Sequence, residues 1–296
     1  MRQLGPVDVD GSASVVSMAD PPNVCLTLSN EPDNVVLVRE TLSAMAEAVG
    51  VDGVDLNDIR TAVTEACNNV VLHAYEGDEG PLQLEMYVCP DTFEIVVRDN
   101  GTGIRPHIRG EDDEALGIGL SIIQALAPRV EFRDVDGGGT EVRMEFATPS
   151  AHALEALVRN GFNPPEVART DLARTTGLAV APSSLARTVL PRVICVLAAR
   201  ARFTTDRIAD AELLADALVA HVSELSATGH LELSVSVDPR RLQLHIGPLE
   251  DGRAERLMSA SALPDAGSVI ERLSDEQRLR ADGDATMLEL LLVDER

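Results

Sequence analysis

A carboxylate and a carboxamide stand four residues apart in the segment TEACNNVVLHAY, residues 64–75. On a helix Glu65 and Asn69 share one face, while Cys67, Val70 and Val71 turn toward a core. The amide oxygen of Asn69 can ligate Mg2+, a hard cation that takes oxygen ligands and keeps several waters. The carboxylate of Glu65 can orient or deprotonate a nucleophile. The plain alternative is a solvated polar pair on an exposed helix face, which is common at this spacing.

Three further segments carry possible chemistry. In DNGTGI (99–104), Asp99 ends a strand, where its carboxylate can accept a hydrogen bond from an exocyclic amine. Gly101 and Gly103 would let the backbone approach a flat ring. The same residues also read as a β-turn, since Asn-Gly is a strong turn dipeptide. In GIGLSIIQALA (117–127), Gly117 and Gly119, with Leu120 beside them, precede a helix whose first turn carries Ser121. Free backbone N–H groups at a helix start favour phosphate. The alternative is an ordinary loop-to-helix entry. A Rossmann fingerprint is excluded because Ile122 takes the place of the third glycine. In GGGTEVRM (137–144), Thr140 opens the last strand of this region; its hydroxyl suits the edge of a base, or the segment is simply a hairpin turn.

The elements that must position these residues follow from periodicity. Residues 25–29 alternate as a strand, 34–49 and 56–74 have helical spacing, and 82–89 and 93–99 alternate as two strands. A helix over 118–127 and a hairpin from 131–135 and 141–147 complete the unit. The order β-α-α-β-β-loop-α-β-β predicts an α/β sandwich with helices on one face of a mixed sheet. Residues 1–22 read as a flexible tail, 23–148 as the first domain, 149–175 as a linker and 176–296 as a second domain. That second domain repeats the first: LQLEMYVCPDTFEIVV (82–97) matches LELSVSVDPRRLQLHI (231–246) at an offset of 149, and three other segments match in the same order.

Each segment alone is ordinary; their order is not. E-x-x-x-N on a helix, strand-D-x-G-x-G, G-x-G-helix and G-T-strand together resemble the GHKL nucleotide fold. The wording TEACNN…HAY with GIGLSII is similar to the anti-sigma-factor serine/threonine kinases. The resemblance covers about residues 24–147. It implies a Bergerat-type ATP-binding fold using ATP and Mg2+. In it Glu65 would be the catalytic base and Asn69 the Mg2+ ligand. Asp99 would read adenine with Gly101, Gly103 and Thr140, and Gly117, Gly119 and Leu120 would cradle the phosphates. It also implies a sigma factor and a STAS-domain antagonist as partners, the antagonist being phosphorylated on serine or threonine. His73 would lie at the pocket rim. Residues Arg105–Ala115 would form the lid; Glu111-Asp112-Asp113-Glu114 within it are unfavourable beside a triphosphate, and Arg105, Arg109 and His107 are the nearby cations. A nucleotide-gated binding module with little catalysis is the alternative reading. A histidine kinase is disfavoured, since only a short polar tail precedes Val24.

In the second copy Glu65 falls on Asp216, Asn69 on Ala220 and Asp99 on Pro248, and the GIG turn becomes PDAG (264–267). The apolar skeleton persists without the polar site. A degenerate copy that serves dimerisation, docking or regulation is expected, with a homodimer or an intramolecular pseudo-dimer as the assembly. Composition sets the outer limits. The net charge of −24 disfavours binding to nucleic acid or anionic membranes, all 25 basic residues are arginine, and the four cysteines form no C-x-x-C pair. No apolar run is long enough to span a bilayer, so a cytoplasmic location is the expectation.

Overall fold

The computed structural model describes residues 22–51, 53–89, 92–103, 113–135, 138–147, 174–225, 229–249, 262–263, 267–282 and 285–295. The expected tail up to residue 21, most of the linker, and the lid before Asp113, with Arg105, His107, Arg109, Glu111 and Asp112, lie outside these residues. The first half runs β1 (Val24–Ser29), α1 (Asn34–Ala48), α2 (Gly53–Asn69), β2 (Pro81–Val88), β3 (Thr92–Asp99), α3 (Asp113–Leu126), β4 (Arg129–Asp134) and β5 (Thr140–Ala147). The second runs β6 (Thr175–Val180), α4 (Ala186–Arg200), α5 (Thr205–Leu225), β7 (Leu231–Asp238) and β8 (Arg241–Leu249). It continues through β9 (Ala262–Leu263), β10 (Gly267–Ser268), α6 (Val269–Leu273), β11 (Glu276–Asp282) and β12 (Ala285–Val293).

Ten strands form one sheet in the order β11-β12-β8-β7-β6-β1-β2-β3-β5-β4. The sequence predicted a mixed sheet; every pairing among the described residues is antiparallel. The reason lies in the connections. A single helix between strands returns the chain parallel, but two successive helices reverse it once more, so β1-α1-α2-β2 closes antiparallel. The one-helix crossover β3-α3-β4 does send the chain the same way twice, yet β5 inserts between those strands and pairs with both.

Alternation in the strands decides which face is apolar. Leu26, Leu84, Ile95 and Met144 from the first half and Leu178, Leu233, Leu244 and Leu290 from the second belong to one buried cluster, to which α1, α2, α4 and α5 also contribute. The opposite face of the first half is an ion-pair lattice. Arg98 donates to Glu85 and to Glu141, each at 2.8 Å, and Arg143 pairs with Glu94 and Glu141. Glu85 is 2% exposed, so these charges depend on their partners and not on water.

Phe93 is the largest wholly buried side chain, at 0% exposure in the main cluster. Phe93→Ala is expected to lower unfolding stability by about 3–5 kcal/mol, measured by urea titration, through lost burial plus the cavity left behind.

Candidate functional site

The helix that carries Glu65 and Asn69 is α2, with Ile59, Ala62, Val63, Ala66 and Cys67 buried on its inner side. Glu65 and Asn69 are half-buried at the boundary. Cys67, between them, faces the core, and burial pushes its thiol up to about 12, which leaves it neither nucleophile nor metal ligand at neutral pH. Directly after Asn69 the helix widens into a π turn, Val70–Ala74. The sequence predicted an unbroken helix to residue 74. Such widened turns concentrate at functional sites, and this one exposes Leu72 and His73 and buries Ala74.

The π turn delivers Ala74 and Tyr75 to the 99–103 loop. Ala74 O accepts the Thr102 N–H at 2.9 Å. Gly101 must lack a side chain, because a Cβ there would collide with the Ala74 carbonyl. The close approach that Gly101 permits is therefore backbone on backbone. Tyr75, part of the HAY triplet but given no role from sequence, joins three segments: its hydroxyl donates to Pro81 O at 2.6 Å and accepts from Asn100 N at 2.8 Å. Its ring occupies the space that a Cβ on Gly80 would need. A tyrosine five residues before a glycine was the available signal, and nothing in the spacing alone says that the two meet.

Asp99 sits at the end of β3 and is 5% exposed. Its Oδ1 accepts the Gly101 N–H at 2.8 Å and the Thr140 N–H at 3.2 Å, and the Thr140 hydroxyl also bonds this carboxylate. Burial raises its pKa above the ordinary aspartate value, against the lowering effect of those three donors. Gly139, at φ +108°, lies so close to the Asp99 carbonyl that no side chain fits, and Gly103, at φ +75°, faces the Asp134 carboxylate and Gly139. Asp99, Gly101, Gly103 and Thr140 are thus one interlocked cluster.

The phosphate-side residues differ from expectation. Gly117 and Gly119 were read as a turn before a helix beginning near 118. In the structure α3 begins at Asp113, so both glycines and Leu120 lie inside it. Backbone N–H groups in a helix interior are committed to carbonyls one turn back. The helix-favouring Glu114-Ala115-Leu116 run extends the helix backward through the glycines. Even so, α3 packs on α2: a Cβ placed on Gly119 would lie 3.4 Å from both Glu65 Oε2 and Asn69 Oδ1. The structure therefore gathers Glu65, Asn69 and Gly119 at one point and Asp99, Gly101, Gly103 and Thr140 at another. Ile118 projects outward, 61% exposed.

With this geometry in view, the comparisons with known proteins have physical content. Residues 28–146 match the model of the histidine kinase-like ATPase domain. The serine-protein kinase RsbW of Listeria innocua is 35% identical over 121 residues, covering 36% of this chain and 77% of the relative. RsbW of Bacillus licheniformis is 32% identical over 129 residues, 39% and 80% of the two chains, and RsbW of Bacillus pumilus is 31% identical over 145 residues, 44% and 89%. This chain belongs to the histidine kinase-like ATPase family, in the branch of the RsbW serine-protein kinases. The family's ATP-binding domain is the first half of the chain; the matched span begins in β1 and ends in β5.

The donor set fits an ATP-binding domain of this family. Asn69 offers one hard oxygen, and among the described residues no group of three or more His, Cys, Asp or Glu could hold a metal alone. Mg2+ fits that pattern, because it takes most of its ligands from phosphates and water. No described helix is long and apolar enough to cross a membrane.

The raised pKa of Asp99 gives a signed prediction. Burial favours the neutral acid, so protonation stabilises the fold at low pH, and this contribution is lost as pH rises through the folded-state value. Acceptance of an amine by the carboxylate runs the other way. ATP affinity, measured by calorimetry against pH, should fall on acidification with a midpoint above the ~3.9 of free aspartate, and Asp99→Asn should weaken binding roughly 10–100-fold and remove that limb.

Proposed function

We propose that the chain is an ATP-dependent serine/threonine protein kinase that regulates transcription by partner switching. It would bind a sigma factor and phosphorylate a STAS-type antagonist, as its resemblance to the anti-sigma-factor kinases implies. The observation that carries this reading is the convergence of Glu65, Asn69 and Gly119 across the α2–α3 contact. A carboxylate, a metal-ligating carboxamide and bare backbone in one place are what phosphoryl transfer requires, since its catalysis is mostly positioning and charge stabilisation.

In this reading Asp99 and Thr140 hold the adenine edge and Asn69 holds Mg2+, which neutralises phosphate charge when bound. Glu65 accepts the proton of the acceptor hydroxyl as its oxygen bonds to the γ-phosphorus; the bond from that phosphorus to the bridging oxygen breaks, and ADP leaves. Gly117 and Gly119 serve the phosphates once the first turns of α3 unwind and free their N–H groups. The glycines are the signature of that demand. Each costs a helix interior roughly 1 kcal/mol against alanine, and the contact with α2 leaves a Cβ on Gly119 at ordinary van der Waals distance, 3.4 Å. The remainder of the chain, 176–296, acts in this proposal as a second copy of the fold without a nucleotide site. Pro248 stands at the Asp99 position in β8 and Ala220 at the Asn69 position in α5. The chain then binds one ATP.

Two variants test the site separately from the fold. Glu65→Gln should still bind one Mg-ATP per chain but lose phosphate transfer to a STAS partner by about 10²-fold or more; ATP binding by the parent chain without any transfer would leave a nucleotide-gated module instead. Gly119→Ala should raise the urea midpoint slightly, by up to about 1 kcal/mol of helix propensity, while abolishing ATP binding. If the alanine variant bound ATP as well as the parent chain, the phosphate role of Gly119 would be ruled out.

A further inference from the structure

The two halves of the chain share more than element order. Read outward from the middle of the sheet, the first half runs β1-β2-β3-β5-β4 and the second β6-β7-β8-β12-β11. Their registers correspond, with an offset of 149 residues from β2 and β3 to β7 and β8 and of 152 from β1 to β6. Gln83 faces Arg98, and 149 residues on Glu232 faces Gly247. Leu26 faces Leu84, while Leu178 faces Leu233, again 149 beyond Leu84. Leu26 and Leu178 are therefore counterparts, and β1 and β6 pair antiparallel with Leu26 opposite Leu178. A residue facing its own counterpart is the mark of a two-fold, isologous contact. The helices agree, since α1 packs on α4, its counterpart.

This contact is well built. Asn23 is 1% exposed: its Nδ2 donates to Ala181 O at 3.1 Å, its Oδ1 accepts the Val88 N–H at 2.8 Å, and its carbonyl accepts the Ala181 N–H at 2.7 Å. Arg192 pairs with Glu47, and Arg200 with Glu31 and Asn34. Cys25, Ala179 and Ala181 form a small buried cluster on the far side of the sheet. The basic partners of these pairs all lie in the second half and the acidic partners in the first, so the contact favours unlike halves over a pairing of two first halves.

We propose that the second half is a built-in subunit, filling within each chain the β1 and α1 surface through which two copies of the ATP-binding half would otherwise associate. The exposed edge of β1 would be a template for another strand. Tethering supplies its partner at an effective concentration of order millimolar, above that of any free copy. The chain then works as a monomer that has the architecture of a dimer. This inference stands on strand register and contacts and is independent of the kinase reading.

The full chain should scatter light as a 31.6 kDa monomer across micromolar concentrations. Cys25 and Ala179 are register partners, with Cα atoms about 5.5 Å apart for a hydrogen-bonded antiparallel pair, within disulfide range. Both positions are buried, so Ala179→Cys should link to native Cys25 within one chain when the variant is refolded under oxidising conditions. The product would be seen as a faster monomer band without reductant and by peptide mapping, and it would be absent when Cys25→Ala is added. If Ala179→Cys does not fold, the paired substitutions Thr27→Cys and Gly177→Cys provide the same staple two register pairs along. A dimeric parent chain, a cross-link between chains, or no cross-link in a folded variant would each overturn the proposal.

Discussion

Contact between bare main chains at the head of the first half-sheet is the constraint on which the site rests. Gly101 lies against the Ala74 carbonyl, Gly139 against the Asp99 carbonyl, and Gly119 against the ends of Glu65 and Asn69. A methyl group at either of the first two positions would force apart segments that must stay joined for Asp99 Oδ1 to receive the Gly101 and Thr140 N–H groups. The buried carboxylate, the tyrosine bridge to Asn100 and the π turn that delivers Tyr75 all follow from this close approach.

The same constraint separates two kinds of glycine. Gly101 and Gly139 are required by the fold as it stands. Gly117 and Gly119 are not, since they lie in a helix that alanine would stabilise. A residue that costs stability where it sits points to another state in which it is needed.

Continuity of the sheet changes how the second half is understood. Two sandwiches on a string would each expose an edge strand and a helix flank. Here β1 and β6 close each other, and α1 and α4 cover the seam. The strand skeleton of the second half needs no polar site to hold it, because inward apolar positions such as Leu233, Leu244 and Leu290 carry the packing. A fold can be kept for its surface after its chemistry has gone.

Much of this was legible in the residues alone. The alternation of 82–97 and 231–246, with a proline at each turn, placed four strands and their offset, because inward and outward positions are fixed by a period of two. The i, i+4 spacing put Glu65 and Asn69 on one helix face for a similarly local reason. What the sequence could not show depends on contacts between distant segments. The antiparallel course of the first half-sheet came from the two-helix connection between β1 and β2 and the β5 insertion between β3 and β4. The role of Tyr75 came from the meeting of residues 75, 81 and 100, and the approach of Gly119 to Glu65 and Asn69 from the packing of α3 on α2. The pairing of Leu26 with Leu178 came from an edge that only the assembled sheet possesses. Local periodicity is written in the chain, whereas which edges and loops meet is decided by packing, and packing has no single residue to announce it.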